Sequence, residues 1–208
     1  RLRTLGLKAL LEGDLSEVEI DEADGQLNVG GVVVKTQDTS HPGLSITKSR
    51  AGMSQVEKEK VPAKSLIDLT STTKRHMRRI LKDLLLVKNV LLVGERGTGK
   101  NSIIYELAHR LNQPIEVLSL NEETTTRDLT MRMVLVEGKT IWVPSVLVEA
   151  AEFGRWLVLD EIDRAPAGVL AVLNNLLQFR EITLPDGRRI KAHKDFRVIA
   201  LMNPPTSA

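Results

Sequence analysis

The alternation of apolar and polar positions in the first third of the chain predicts short, half-buried strands. Residues 18–29 alternate on both sides of Asp24-Gly25, a dipeptide that is typical of a tight hairpin turn. The stretch GVVVKT, residues 31–36, predicts one further strand. Residues 40–64 show little periodicity and predict a loop.

From residue 65 the pattern changes, and the segment 71–86 predicts a helix that Ser71 or Thr72 caps at its amino end. The apolar side chains on one face of this helix are Met77, Ile80 and Leu84. The basic run at residues 74–79 predicts a solvated helix face, which is the common role of such runs. Contact with a phosphate or a partner is the alternative that the residues leave open.

Near-continuous apolar runs then alternate with helical segments. The runs that predict strands are residues 89–94, 115–120, 155–160 and 196–202. Strands of this kind, separated by helices, are typical of a parallel sheet that is covered on both faces. We therefore predict an α/β fold with a three-layer parallel sheet over residues 65–208. Residues 1–64 are predicted to be a small β- and loop-rich segment or a linker.

Two hairpins interrupt the helix–strand alternation. Residues 133–143 predict two short strands that pair across Glu137-Gly138. Residues 180–191 predict two more, which pair across Pro185-Asp186-Gly187, a strong turn signal.

Composition excludes several classes of protein without choosing among the rest. The chain has 208 residues, of which 42% are hydrophobic and 27% charged, as in ordinary globular proteins. The net charge of +2 is too close to neutral for a general nucleic-acid or anionic-membrane binder. No apolar run approaches the roughly 18 residues that a membrane span requires. The absence of cysteine excludes disulfides and thiolate metal sites.

The stretch from Gly94 to Lys100 fills the GxxxxGK pattern between a predicted strand and a predicted helix. Glycines let the backbone curl until successive N–H groups point at phosphate oxygens, and the helix dipole adds positive potential. Lys100 is expected to reach the outer phosphates. The predicted phosphate-binding residues are Gly94, Glu95, Arg96, Gly97, Thr98, Gly99, Lys100, Asn101 and Ser102. For Arg96 a solvent-facing side chain is the alternative, as is usual at variable loop positions.

Asp160 and Glu161 end the third predicted strand, at the edge where parallel sheets bind ligands. Asp160 is expected to hold Mg²⁺, and Glu161 to act as general base toward the attacking water. Asn203 follows the fourth predicted strand at the same edge. It is expected to orient that water or contact the terminal phosphate, although a turn before two prolines explains an isolated Asn equally well.

These three elements, in this order, resemble the AAA+ ATPases. In that resemblance Asp160-Glu161 match the Walker B motif and Asn203 matches sensor 1. The two hairpins resemble the helix-2-insert group, which includes MoxR-like, CbbQ/NirQ, midasin and dynein-related ATPases. Lys100 followed by Asn101, together with residues 121–129, is most similar to the large von Willebrand factor A domain-containing AAA+ ATPases.

The resemblance implies ATP and Mg²⁺ as cofactors, and ATP hydrolysis that remodels a protein partner within a ring of neighbouring modules. A von Willebrand A domain is the implied adaptor, and nucleic acid is an unlikely partner. Animal members are mitochondrial, which favours that compartment over the cytoplasm. The basic residues 1–11 are then either the tail of a transit peptide or a short helix cut from a longer chain.

Asn101 departs from the family pattern, which has Ser or Thr as the Mg²⁺ ligand at this position. Its amide oxygen accepts a cation, but the side chain is longer, and Ser102 points about 100° away on a helix. A non-hydrolysing nucleotide-binding module is therefore one alternative, and a DNA-directed AAA+ helicase or clamp loader is another. The chain also ends after the fourth strand, so the family's fifth strand, lid and arginine finger are expected outside it.

Two further residues, Arg164 and Trp142, each have two possible roles. Arg164 follows Walker B and is predicted to act between subunits or to form a local ion pair with Glu161 or Asp163. Trp142, on the first hairpin, is predicted to contact a client protein or to pack within the hairpin.

Overall fold

The computed structural model of the protein describes residues 20–23, 26–30, 32–35 and 54–205. Its strands are β1 Ile20–Ala23, β2 Gln26–Val29, β3 Val32–Lys35, β4 Val90–Val93, β5 Ile115–Ser119, β6 Met131–Val136, β7 Lys139–Pro144, β8 Trp156–Asp160, β9 Glu181–Thr183, β10 Arg189–Lys191 and β11 Arg197–Met202. Its helices are α1 Gln55–Glu59, α2 Ser71–Leu85, α3 Lys100–Arg110, α4 Val146–Phe153 and α5 Ala167–Phe179, with a short 3-10 helix at Ile162–Arg164. Within these ranges, no helix combines the length and apolarity needed to span a membrane.

The described residues divide into two compact units. The first contains the chain up to Lys88 together with Asn101–Gln113. The second contains Asn89–Lys100 and the chain from Pro114 onward. The division at residue 64 that the composition suggests stays a prediction.

The first unit contains a three-stranded antiparallel sheet in the order β1-β2-β3. Side chains alternate across this sheet, so that one face is buried while Val33 on the other face is exposed. The buried side chains are Leu27, Val29, Val32 and Val34. Helix α2 contacts β2 and β3. The predicted hairpin and third strand are confirmed for the described residues, whereas the turn Asp24-Gly25 and residues 1–19 lie outside them.

Helix α1 corrects the prediction of a loop over residues 40–64, of which residues 40–53 lie outside the described ranges. The Ser54 side chain accepts a hydrogen bond from the Glu57 backbone N–H, and the Glu57 carboxylate accepts one from the Ser54 N–H. This reciprocal capping box starts the helix. Its five residues are too few to show a helical repeat, so periodicity missed it.

Helix α2 begins at Ser71, where the predicted segment begins, but its cap is Thr70 and not Ser71 or Thr72. The Thr70 hydroxyl accepts a hydrogen bond from the Thr73 backbone N–H at 3.2 Å. The predicted face of Met77, Ile80 and Leu84 is buried, as expected.

The prediction that residues 74–79 form a solvated face is wrong in part, because Met77 and Arg78 are buried. Successive helical residues lie about 100° apart, so six consecutive side chains sample every direction around the axis. A run of like charges along a helix therefore cannot lie on one face.

The second unit contains a four-stranded parallel sheet in the order β4-β11-β8-β5. The parallel pairing of four strands that helices separate in the chain confirms the predicted α/β fold. In this order β4 and β8 both flank β11. The Asn89 side chain accepts a hydrogen bond from the Val198 N–H at 3.0 Å and helps to hold β4 in register with β11. All four strands run the same way, so their carboxyl ends share one edge.

Both predicted hairpins are confirmed. Strands β6 and β7 pair antiparallel, with Val136 opposite Lys139, and β9 and β10 pair with Ile182 opposite Ile190. The turn of the second hairpin contains Gly187, whose φ is +84°. The core of the second unit is formed by α4, α5, β8 and β11, with apolar side chains such as Leu147, Leu157, Leu173 and Val198.

Gly154 ends α4 in the left-handed region, with φ of +70°, and lies against the imidazole of His193. A Cβ at this position would lie 3.0 Å from His193 Cγ and nearer still to Nδ1. We expect Gly154→Ala to lower the free energy of unfolding by about 2–4 kcal/mol, from backbone strain plus the clash. Urea unfolding followed by circular dichroism measures this change.

Gly187→Ala is the matched control, because a Cβ there meets nothing within 4 Å and only the backbone strain remains. The control is expected to lose about 1–2 kcal/mol. Adding His193→Ala to Gly154→Ala should recover the difference between the two glycine variants. Equal losses for the two variants would show that the His193 contact contributes nothing.

Candidate functional site

The loop Gly94–Lys100 connects β4 to the first residue of α3. Gly97 and Gly99 adopt φ of +83° and +81°, a region that other residues rarely enter. The Thr98 hydroxyl donates to the Glu95 carbonyl at 2.8 Å and closes the turn between them. The loop therefore curls back on itself at the carboxyl edge of the sheet.

Gly94 joins the loop to the sheet, because its N–H donates to the carbonyl of Met202 at 3.2 Å. A Cβ on Gly94 would lie 3.1 Å from the Thr98 hydroxyl, so a larger residue would press on the turn. By contrast, the space around the Cα of Gly97 is open. A side chain at position 97 would thus meet no neighbouring atom, and only the backbone conformation requires glycine there.

Lys100 brings the loop and the end of β11 together. Its ammonium donates to the carbonyls of Gly94 and Glu95, the latter at 2.9 Å. It also lies 3.4 Å from the side-chain oxygen of Asn203. The Lys100 ammonium therefore contacts both its own loop and Asn203, which lies 103 positions further along the sequence.

Asp160 ends β8 at the same edge, and Glu161 follows it. Glu161 has φ of +55° and ψ of +45°, a left-handed conformation that costs a residue with a Cβ about 1–2 kcal/mol. Asp160 Oδ1 accepts a hydrogen bond from the Glu161 N–H at 3.0 Å. Strained backbone of this kind occurs often at functional sites.

Two arginines face the Glu161 carboxylate, one at each oxygen. Arg96 of the loop approaches Oε1 at 2.6 Å, and Arg164 approaches Oε2 at 3.5 Å. The Arg164 contact is the local ion pair that was one of its two predicted roles. The Arg96 contact is not predicted by the sequence, which assigned that side chain to phosphate.

Asn203 is oriented by a residue that sequence reasoning did not assign to the site. Its backbone N–H donates to Asp163 Oδ1 at 3.2 Å. Asp163 lies in the short 3-10 helix after Glu161. Its only signal in the sequence was its position three residues after Asp160.

The structure thus brings Lys100, Asn203, Glu161 and Arg96 to one edge of the sheet, with Asp160 beside Glu161. Asn101 and Ser102 are the second and third residues of α3. The catalytic and binding roles assigned to these residues stay predictions.

Comparison with known proteins identifies the family. Residues 89–208 match the AAA domain of the dynein-related subfamily. The chain belongs to the dynein-related AAA family. The resemblance to the AAA+ ATPases that the three sequence elements carry is therefore confirmed.

The relatives of this AAA chain include the predicted narrower groups. It is 34% identical over 212 residues to mouse (Mus musculus) von Willebrand factor A domain-containing protein 8, covering 94% of this chain and 10% of the relative. It is 35% identical to midasin of Dictyostelium discoideum, covering 64% of this chain and 2% of midasin. It is 32% identical to protein CbbQ of Hydrogenophilus thermoluteolus, covering 55% of this chain and 44% of CbbQ. The chain thus spans less than half the length of each of these relatives.

A solved structure shares this fold. The crystal structure of a candidate ATPase from Cytophaga hutchinsonii superposes with a TM-score of 0.55 and 21% sequence identity. The match covers 74% of this chain and 43% of the other.

The residues of this AAA chain fit a nucleoside triphosphate and its metal. The positive-φ glycines, the open side at Gly97 and the start of α3 suit phosphate oxygens. Asp160, at the end of β8, offers carboxylate oxygens, which are donors that Mg²⁺ prefers. Neither His nor thiolate is needed for such a site.

Proposed function

We propose that this chain is an ATP-binding module that hydrolyses ATP within a larger AAA ring and so remodels a protein partner. One observation carries the proposal. Three segments that are distant in sequence meet at the carboxyl edge of the parallel sheet, where Lys100 contacts Asn203 and the loop contacts Glu161. Membership of the AAA family supports an ATPase, and the open glycine loop supports phosphate as the bound group.

Each residue has a distinct proposed task. Lys100 and the N–H groups of Gly94–Lys100 bind phosphate, and Glu161 takes a proton from the attacking water. Asn203 orients that water, and Asp163 holds the Asn203 backbone in place. Asp160 would hold Mg²⁺, with Asn101 as the second ligand that the sequence predicts, and the metal would supply neutralisation of phosphate charge.

The proposal of a protein partner is based on the first hairpin, β6–β7. Its exposed apolar side chains include Met133, Leu135 and Trp142, and Arg127 stacks over the Trp142 ring at 4.5 Å. Met133 and Trp142 are directly opposite in the hairpin register, so they form one apolar patch. This patch supports a protein client, and the mouse relative supports a von Willebrand A domain as the adaptor. Mitochondrial localisation stays a prediction.

A non-hydrolysing module is the second candidate, and Asn101 is the residue that favours it. Mg²⁺ should raise the affinity of the wild type for ATP if Asn101 is a working Mg²⁺ ligand. In Asn101→Ala this increase should be about tenfold smaller. Asn101→Thr should keep that gain, because its hydroxyl is also an oxygen donor. Calorimetric titration of ATP with and without Mg²⁺ measures both variants.

Asn174→Ala is the matched control for Asn101, since it removes the same amide from an exposed position of α5, and it should change little. A wild-type chain whose ATP affinity ignores Mg²⁺, but which gains Mg²⁺ dependence and turnover in Asn101→Thr, would favour the non-hydrolysing module. Failure of the folded wild-type chain to bind ATP at all would overturn the proposed function.

A further inference from the structure

The ion pair between Arg96 and Glu161 links the phosphate loop directly to the proposed general base. Arg96 donates to Glu161 Oε1 at 2.6 Å across 65 residues of sequence. Charge-assisted contacts of this kind are stronger than neutral hydrogen bonds. Arg164 faces the other oxygen, so a guanidinium lies beside each oxygen of the carboxylate.

The two partners of this ion pair differ in how firmly they are held. The Glu161 side chain is 26% exposed, and its backbone is in the left-handed region that only its surroundings maintain. The Arg96 side chain is 78% exposed and lies on a loop one residue before Gly97. Arg96 is therefore the partner with room to reorient.

A terminal phosphate competes with Glu161 for the same guanidinium. Arginine binds phosphate through two parallel hydrogen bonds and pairs with a carboxylate in the same way. Because Glu161 acts on the water beside the terminal phosphate in the proposed function, both acceptors lie on the same side of the loop. ADP lacks the terminal phosphate and offers Arg96 no equivalent partner there.

We propose that Arg96 is a nucleotide-sensitive latch, which holds Glu161 Oε1 until the terminal phosphate of ATP draws the guanidinium away. The inference rests on the proposed function of the site. While the latch is closed, the Arg96 guanidinium competes with water for Oε1. Transfer of Arg96 to phosphate frees that oxygen, so the general base becomes available only with ATP in the loop. Arg96 is a positioning residue in this scheme.

A double-mutant cycle on nucleotide affinity tests the latch without relying on turnover. Calorimetry measures binding of a non-hydrolysable ATP analogue (the β,γ-imido triphosphate) to wild type, Arg96→Ala, Glu161→Gln and the double variant. Glu161→Gln opens the latch and removes a repelling charge, whereas in the Arg96→Ala background it removes only the charge. We expect Glu161→Gln to tighten analogue binding about threefold to fivefold more when Arg96 is present, the range of a surface ion pair.

ADP and two further variants complete the cycle. The extra tightening should be absent with ADP, it should persist in Arg164→Ala, and Arg96→Lys should give an intermediate value because lysine lacks the planar fork. Additive effects of Arg96→Ala and Glu161→Gln, or equal coupling with ADP, would overturn the latch while leaving nucleotide binding intact. If the folded wild-type chain does not bind the ATP analogue at all, the proposed function is overturned as well. Melting temperatures of all variants establish that each one is folded.

Discussion

Lys100→Ala is expected to weaken ATP binding about a hundredfold. The ammonium is the only lysine charge that the described residues place at the loop, and hydrogen bonds to charged groups contribute about 1.5–3 kcal/mol each. A phosphate in the loop would compete for this ammonium with the carbonyls of Gly94 and Glu95, which are neutral and therefore weaker acceptors. Calorimetric titration of ATP in the presence of Mg²⁺ measures the loss.

Lys88→Ala is the matched control for this substitution. Lys88 has a side chain that is 61% exposed and lies 3.8 Å from Asp83, before β4 begins. Its removal takes away the same charge without touching the loop, so ATP affinity should change less than about twofold. Equal losses of ATP affinity in the two variants would mean that Lys100 contributes only through the net charge of the chain. An unchanged ATP affinity in Lys100→Ala would refute the phosphate site.

Glu161→Gln is expected to abolish most ATP turnover while nucleotide binding survives. A positioned general base contributes about 10²–10⁴ in rate, and an amide cannot accept the proton that Glu161 would take. Glutamine keeps the size of the side chain, so the site should stay folded. Phosphate release at high protein concentration, which favours ring assembly by mass action, measures the rate.

Glu152→Gln is the control, because this exposed residue of α4 lies away from the sheet edge. Its turnover should equal that of the wild type. Turnover that persists in Glu161→Gln would move the general base to another residue. Loss of both turnover and ATP binding in that variant would instead indicate that Glu161 supports the site structurally.

The fold was largely predictable because its signals are local. Apolar runs separated by helical periodicity predict a buried parallel sheet, and the turns at Glu137-Gly138 and Gly187 mark the hairpins. The errors also have local causes. Helix α1 is too short to show a period, and the cap at Thr70 was displaced by one residue because several neighbouring hydroxyl residues offer the same side-chain chemistry.

The phosphate loop and the carboxylates were predictable for a similar reason. Their residue types follow from the chemistry of phosphate and magnesium, and they come directly after apolar runs. The contact between Arg96 and Glu161 was not predictable, nor was the hydrogen bond from Asn203 to Asp163. Each joins segments that lie at least 40 residues apart, and charge alone does not select one partner among many.

The sequence by itself determined most of the strands and helices, though not α1, the edge that carries the polar groups, and the family to which the chain belongs. Only the tertiary structure decided the burial of Arg78 and the pairing of both Glu161 oxygens with arginines. The reason is physical. Hydrophobic periodicity and backbone conformation are set by neighbours in sequence, whereas side-chain ion pairs and burial depend on which distant segments the packed sheet brings within a few ångströms.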